Sequence, residues 1–319
     1  MTLDSLTVVV LNWRNSPLTI RSVQSLLCDD IPPARVVLVD NESEQTEYER
    51  LRAALPAVAI VRLPQNVGFA RANNEGARVL PGETYLFVNN DAFVERSGSV
   101  AALVDVLDDP RAGLVVPRLL NEDLSLQPSV SPLYSPAVAL GQASGFARLI
   151  SNERQPDWST RWDHSTKREI QAATGAVLLV RGRTWRELGG FSERTFMYAE
   201  DRDLCWRARR QGWSVHFTPA AEFVHLGSAS ADQRWPRRFR AEAVARAEAH
   251  LIHDRFSRPV ALATRGLLSA GFVGRWLLWT ISRRPEAAAE TLGSLSGFVR
   301  PLHRVKPAEA LIPPPEGDE

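Results

Sequence analysis

Three carboxylates fall within four residues of this chain: Glu200, Asp201 and Asp203, in the run Met197-Tyr198-Ala199-Glu200-Asp201-Arg202-Asp203-Leu204. Mutual repulsion raises their proton affinity and a helix N-terminus lowers it, so one of them can be poised as a general base. The same acids also suit helix capping, with Glu200 or Asp201 satisfying first-turn amides. A second cluster, Asn89-Asn90-Asp91, follows the apolar run Tyr85-Leu86-Phe87-Val88. Oxygen ligands of this kind suit Mg²⁺ or Mn²⁺ bridged to a diphosphate, and Asn and Asp equally suit a turn. Asp40 ends another apolar run, where it can accept hydrogen bonds from a nucleotide base or ribose, or close a turn with Asn41. Asn12 ends a further one. His225 follows Glu222-Phe223-Val224 and precedes Gly227-Ser228, a place from which imidazole can complete a metal shell, contact phosphate or serve structure alone.

Such residues need elements to position them, and the hydrophobic pattern supplies those. Leu6 to Asn12, Val36 to Val39 and Tyr85 to Val88 read as strands buried on both faces, with a shorter strand at Ala59 to Arg62. Helical patterns at Thr19 to Leu27, Thr46 to Ala54 and Phe69 to Val79 alternate with them, the last entered by the loop Pro64 to Gly68. Strand Ala176 to Val180, helix Thr184 to Leu188 ended by Gly189-Gly190, helix Asp201 to Gln211 closed by Gly212, and short strands Val215 to Thr218 and Ala221 to Val224 follow. The pattern predicts an α/β fold with an open, mostly parallel central sheet flanked by helices, and ligands bound outside the carboxyl ends of the strands. Residues 121–170 hold little periodicity and read as long loops or a lid. Near the end, Phe239, Ala243, Ala247 and Leu251 have helical spacing after Pro236. Gly266 to Ser282, apolar but for Arg275, is too short and glycine-broken to span a bilayer and reads as an interfacial or buried helix.

Composition sorts the function classes. The 319 residues are 44% hydrophobic and 24% charged, enough for a large core. Two cysteines, Cys28 and Cys205, exclude a disulfide framework and a four-thiolate zinc site and point to a reducing, cytoplasmic setting. Met1 to Leu6 carry neither a basic segment nor a small-residue cleavage site, which predicts a protein that is not secreted. The sequence has no Gly-x-Gly-x-x-Gly, no P-loop and no Gly-x-Ser-x-Gly elbow, which removes the main support for dinucleotide oxidoreductases, P-loop ATPases and α/β-hydrolases. The net charge of +1 hides a polarity: Arg234 to Arg304 carries 13 arginines against 5 acids, so the remainder is net acidic. Few aromatic partners and no reader motif accompany those arginines, which argues against nucleic acid.

In order along the chain, the sequence resembles the family 2 glycosyltransferases of the GT-A nucleotide-sugar-binding fold. The resemblance rests on Val8-Val9-Val10-Leu11-Asn12, Val37-Leu38-Val39-Asp40-Asn41, Asn66-Val67-Gly68-Phe69-Ala70-Arg71-Ala72-Asn73-Asn74 and Asn89-Asn90-Asp91. It continues in Thr174-Gly175-Ala176, Gly189-Gly190-Phe191, the run from Phe196 to Arg207, and His225-Leu226-Gly227-Ser228-Ala229-Ser230. The pattern is most similar to the bacterial branch containing rhamnosyltransferases. The resemblance implies that Asn12 and Asp40 hold the nucleotide base, with Asn66, Gly68 and Phe69 bordering the nucleotide. It places Asn89 and Asp91 at the metal-binding Asp-x-Asp positions beside Asn90, Asp201 at the catalytic base with Glu200 next to it, and His225 at a metal or diphosphate contact. Arg234 is assigned to the leaving diphosphate, and Gly175, Trp158 and Trp162 to the acceptor. The implied cofactor is Mg²⁺ or Mn²⁺. Asn replaces the first acid of the metal motif, and Gln233-Arg234-Trp235 lacks the spacing of processive synthases.

The implied reaction is an inverting transfer of a hexose, with L-rhamnose from dTDP-L-rhamnose as the best match, to a glycan, a polyprenyl-diphosphate-linked sugar or another glycoside. A sugar nucleotidyltransferase and an inactive relative acting as an interaction protein are the rival readings. The expected organisation is a catalytic domain over 1–235, a basic helical C-terminal extension over 236–305 and a disordered tail over 306–319. The extension suits an anionic membrane surface, which would make the protein peripheral on the inner face of the cell membrane, or packing in a homo-oligomer.

Overall fold

A computed structural model describes residues 3–144, 162–227 and 236–302. The elements in chain order are β1 (Leu6–Asn12), α1 (Ser16–Leu27), β2 (Val36–Asn41), α2 (Gln45–Ala54), β3 (Ala59–Leu63), α3 (Phe69–Val79), β4 (Thr84–Asn89), β5 (Ala92–Val94) and α4 (Ser99–Asp105). Then come β6 (Ala112–Leu120), β7 (Leu126–Gln127), β8 (Val130–Ser131), α5 (Pro136–Ser144), β9 (Arg168–Glu169), β10 (Ala172–Ala173), β11 (Val177–Arg181), α6 (Gly182–Leu188), α7 (Glu200–Arg210) and β12 (Ser214–His225). Three helices close the described chain: α8 (Arg237–Arg255), α9 (Arg258–Ile281) and α10 (Pro285–Val299).

The main sheet runs β3-β2-β1-β4-β11-β6-β12-β5. Its first four strands are parallel, β11 is antiparallel to both neighbours, and β5 returns antiparallel against β12. Side chains alternate between the two faces of each strand. Leu6, Val8 and Val10 of β1 join α1, α2 and α4 residues such as Val23, Leu51 and Leu103 in one core cluster. On the opposite face α3 lies so close that a Cβ on Gly76 would come within 2.5 Å of Val9 Cγ1 and 2.8 Å of Val39 Cγ2. Any side chain at Gly76 would push α3 off the sheet and displace the loop that precedes it. Beyond α3 on that face, Tyr85 and Phe87 pack against Trp185 of α6.

The contacts divide the chain into two compact units, one of residues 1–131, 156–193 and 201–230, the other of 132–155, 194–200 and 231–319. Within the second, α8, α9 and α10 enclose Ala245, Ala249, Ile252, Ala261, Leu268 and Phe298 together with Ala139 of α5. The helix pair α8/α10 depends on small residues: a Cβ on Gly293 or Gly297 would strike the carbonyl oxygens of Arg238 and Glu242.

Three sequence expectations change. The stretch 121–170 is not wholly loop, since it contains β7, β8, α5 and β9 among the described residues. Pro136-Ala-Val-Ala-Leu-Gly is short and small-sided, so it has no polar face for a periodicity argument to find. Val215 to Val224 is a single strand, interrupted in register between Thr218 and Glu222, where Pro219 has no N–H to give the ladder. The apolar run near Gly266 belongs to a longer helix, α9, that begins at Arg258. The strands β5 and β6, joined by α4 and marked by no motif, belong to the main sheet.

Candidate active site

The carboxyl ends of β1, β2 and β3 carry the first group of polar residues. Asn12 pairs in register with Asp40, and Asp40 with Arg62. Asn12 and Asp40 are fully buried. Asn12 Nδ2 donates to Asp40 Oδ1 and to Ser43 Oγ, both at 2.9 Å, and its Oδ1 accepts from Thr19 Oγ1 at 2.6 Å. The amide is thus fully engaged inside the protein, and what it holds is Asp40. The second Asp40 oxygen has no hydrogen-bond donor, but Arg62 Nε stands 3.6 Å from it. Arg62 is itself fixed by Gln45 Oε1, the Ser43 carbonyl and the face of Tyr48. Beside this group an open depression of about 400 Å³ is lined by Glu42, Ser43, Arg62, Leu63 and Pro64.

The loop before α3 is tied to the same edge. Asn41 Nδ2 donates to Asn66 Oδ1, and Asn41 Oδ1 accepts from the Val67 amide. Asn66 Oδ1 also accepts from the Gly68 amide. Gly68 takes φ of 86°, a conformation that favours glycine, and Phe69 then opens α3. One helical turn on, Asn74 clamps the Gly189-Gly190-Phe191 turn through both its amide atoms.

The second group sits at the end of β4. Asn89 closes the strand, and its Oδ1 is buried without a hydrogen-bond partner. Asn90 Nδ2 donates to Thr19 Oγ1 at 3.2 Å, which links this group to Asn12. Asp91 is 4% exposed and leads into β5, whose Ala92 is the register partner of His225 on β12. That pairing brings His225 Nε2 to 3.3 Å from Asp91 Oδ1 across 134 positions of sequence. His225 Nδ1 meets Gln127 Oε1 at 2.7 Å. Gln127 Nε2 is spent on the His225 carbonyl and on Asn121 Oδ1, and Asn121 Nδ2 on Ser125 Oγ and the Leu126 carbonyl. The amide orientations therefore leave Gln127 Oε1 only an acceptor role, so Nδ1 must carry the proton.

The consequence is electrostatic. With Nδ1 committed to Gln127, His225 Nε2 is the nitrogen that faces the carboxylate oxygen, and a proton or a positive charge between the two would satisfy both. Asp91 Oδ1 and His225 Nε2 face each other, and Asn89, two residues before Asp91, has a buried Oδ1 without a hydrogen-bond partner; carboxylate, imidazole and amide oxygen are donor types compatible with Mn²⁺ or Mg²⁺. Among the described residues no group of three His, Cys, Asp or Glu gathers for a metal, so an amide would have to serve as a ligand here.

The third group is Asp201. Because β11 runs antiparallel to β4, the residues before it lie at the carboxyl end of β4, and the Asn89 amide donates to the Ala176 carbonyl. The Gly175 amide donates to Asp201 Oδ2 at 2.8 Å, and the Arg202 amide to Oδ1 at 2.7 Å. A Cβ on Gly175 would lie 2.9 Å from Asp201 Cβ, so the neighbour this glycine admits is Asp201. Each carboxylate oxygen keeps lone pairs beyond these bonds. Glu200, 6% exposed, opens α7 after Tyr198 and Ala199, both at positive φ. Trp162 is buried: its ring stacks on His164 at 4.2 Å, meets Phe217 edge-on and carries the Arg168 guanidinium 4.6 Å away. Burial holds the His164 imidazole below its ordinary pKa. Trp158, Arg234 and the 306–319 tail lie outside the described residues. Burial also pushes the Cys205 thiol up to about 12, which removes it as a nucleophile.

Sequence reasoning passed over Ser43, Arg62 and Gln127. Arg62 ends β3 as Asp40 ends β2, so the strand-end argument covers it. Gln127 sits in the unpatterned stretch and gives no such signal.

Comparison with known proteins supplies context. The profile of the family described as "Glycosyltransferase like family 2" matches residues 4–242. The N-acetylglucosaminyl-diphospho-decaprenol L-rhamnosyltransferase of Mycobacterium tuberculosis (strain ATCC 25618 / H37Rv) is 30% identical over 239 residues, which is 70% of this chain and 76% of the relative. The O-antigen biosynthesis protein RfbC of Myxococcus xanthus is 28% identical over 234 residues, 70% of this chain but 17% of that protein. Among solved structures, the mannosyltransferase PcManGT from Pyrobaculum calidifontis in complex with GDP-Man and Mn²⁺ superposes with a TM-score of 0.59 at 16% identity, covering 92% of this chain and 86% of that one. S. aureus TarS in complex with UDP-GlcNAc gives 0.52 at 15% identity, covering 93% and 82%. At such identities the likeness fixes the fold, GT-A, and nothing finer.

Proposed function

The chain belongs to glycosyltransferase family 2, and on that premise we propose that it is an inverting, metal-assisted hexosyltransferase that moves L-rhamnose from dTDP-L-rhamnose to a polyprenyl-diphosphate-linked sugar. The observation that carries the metal-assisted part is the facing pair Asp91 and His225, with Asn89 Oδ1 unpartnered two residues before Asp91. The 30% identity to the mycobacterial rhamnosyltransferase supports the sugar and the lipid-linked acceptor.

In this reading the depression beside Asp40 and Arg62 takes the nucleoside. Asp40 accepts from the base or ribose, and Asn12 acts through Asp40 by holding it in place. The Asn66 to Phe69 loop borders the nucleotide. Asp91, His225 and Asn89 would hold the divalent cation, which would supply charge to the leaving diphosphate. Asp201, fixed by the Gly175 and Arg202 amides, takes the proton of the acceptor hydroxyl as that oxygen bonds to the anomeric carbon from the face opposite the diphosphate. The bond from carbon to phosphate oxygen breaks, and its electron pair leaves with the nucleotide. Holding donor and acceptor in line supplies much of the remaining acceleration.

Two measurements test the reading. In thermal-shift assays with Mn²⁺, dTDP-L-rhamnose should stabilise the protein more than UDP-GlcNAc or GDP-mannose; greater stabilisation by another donor overturns the sugar assignment. Asp201→Asn keeps size and removes basicity, so turnover should fall about a thousandfold while donor affinity stays within about twofold. A near-parental rate in Asp201→Asn together with a collapse in Glu200→Gln would move the base to Glu200.

A further inference from the structure

The helix α9 is reversed relative to an ordinary surface helix. Its buried positions are Ala261, Thr264, Arg265, Leu268 and Gly271. The Arg265 guanidinium lies inside, where Nε and Nη2 donate to the carbonyls of Phe298 and Arg300 at the end of α10. The outward side is the apolar one. Of the eleven large hydrophobic side chains that stand exposed among the described residues, six lie on α9: Val260, Leu262, Val273, Leu277, Leu278 and Ile281, the last 79% exposed. Ala263, Gly266, Ala270, Gly274 and Thr280 fill the exposed positions between them, Thr280 being the one polar side chain and bonded back to the Trp276 carbonyl. A helix facing water places charge on that side.

Charge is present, but at the ends. From Arg255 to Arg284 the chain has six arginines and no Asp, Glu or Lys. Arg258 at one end of α9 and Arg283 and Arg284 just past the other are exposed. Trp279 is half-buried with the Arg284 guanidinium 5.3 Å from its ring, and Arg275 folds over Phe272 at 4.3 Å. The helix of 24 residues is about 36 Å long. No helix among the described residues is long and apolar enough to cross a membrane.

We propose that the outward face of α9 lies flat on an anionic lipid surface, with Leu262, Val273, Leu277, Leu278 and Ile281 in the acyl boundary and Arg258, Arg283 and Arg284 against lipid phosphates. An interfacial helix combines these two features: an apolar side, and cations with aromatic rings at headgroup level. A second copy of the chain is a poorer occupant. Parallel two-fold packing along α9 sets Arg258 on Arg258, antiparallel packing sets Arg258 on Arg283 and Arg284, and no acid in the segment relieves either. Anionic lipid neutralises all three. The inference does not depend on which sugar or acceptor the enzyme uses.

Flotation of the full-length protein tests it, with vesicles of phosphatidylcholine alone and of phosphatidylcholine with about a third phosphatidylglycerol. The parent should float with the anionic vesicles at low salt and be released by high salt. Leu277→Glu/Leu278→Glu should cut the bound fraction about tenfold or more, and Arg283→Gln/Arg284→Gln should abolish the preference for anionic vesicles. Both pairs are exposed, and an unchanged thermal shift with nucleotide sugar would show that the variants fold. Transfer to a water-soluble acceptor should stay at the parental rate, which separates this test from the test of the reaction. Equal flotation of the parent and Leu277→Glu/Leu278→Glu overturns the proposal. So does a parent dimer that this variant splits in light scattering while the parent fails to float.

Discussion

Two acids end two neighbouring parts of the same sheet edge, and they are treated in opposite ways. Asp40 has opposite charge and a donor beside it: the Asn12 amide bonds one oxygen, and the Arg62 guanidinium stands 3.6 Å from the other. Asp91 faces an acceptor, the Nε2 of a histidine whose proton is held on the far nitrogen by Gln127. The first arrangement is held together by its own neighbours inside the protein. The second sets a carboxylate oxygen against an imidazole nitrogen, a contact that a proton or a bound cation strengthens. A fold can thus place two carboxylates at strand ends and assign them different chemistry through what each one faces.

That contrast can be broken from either side. The largest effect is expected for Asp91→Ala, which removes the full charge of its group: Mn²⁺ binding followed by electron paramagnetic resonance should disappear and turnover should fall more than about a hundredfold. Undiminished turnover in excess chelator would end the metal assignment. Asn12→Ala should act on the other acid, leaving buried Asp40 without its donor at a cost of about 2 kcal/mol in denaturant unfolding. Metal affinity should stay at the parental value there, and a drop in it would show that the two groups are not separable. Gln127→Leu is the converse experiment. Loss of the Gln127 Nε2 bonds to the His225 carbonyl and Asn121 should cost about 1–2 kcal/mol in unfolding, and loss of the oxygen that fixes the His225 tautomer should weaken Mn²⁺ binding about tenfold. Gln127→Glu, which keeps an acceptor for Nδ1, should recover most of that loss, whereas equal weakening in both variants would reduce Gln127 to a packing role. The smallest effect belongs to Asn89→Ala, a few-fold rise in the Mn²⁺ dissociation constant by titration, because a neutral amide adds little to a divalent site.

The arginines of the C-terminal region show how far charge alone can mislead. Sequence gives their surplus, but only the fold distinguishes Arg265, turned inward to cap α10, from Arg283 and Arg284 at the exposed rim of an apolar face. Periodicity does not find that face, since the run near Gly266 has no clean stripe and its outward side is the hydrophobic one.

Much of the catalytic unit is legible in the sequence because a parallel sheet buried on both faces writes each strand as a continuous apolar run. Leu6–Asn12, Val36–Asn41 and Thr84–Asn89 stand out on that ground, and each run ends in the polar residue that the sheet edge presents. The alternating helices and the fold class follow from such local patterns, which also single out Asp40, Asp91, Asp201 and His225 as candidates without fixing a role for any of them. What local pattern cannot hold is which ends meet. Asp91 reaches His225 only because the chain makes β5 and returns through β6 and β11 before laying β12 beside it. Asp201 reaches Gly175 only because β11 runs against β4. The commitment of the Asn12 amide, the service of Gln127 to His225 and the reversal of α9 are of the same kind. Each depends on contacts between segments far apart in sequence, whose pairing is set by the packing of the whole sheet or bundle and not by the residues on either side.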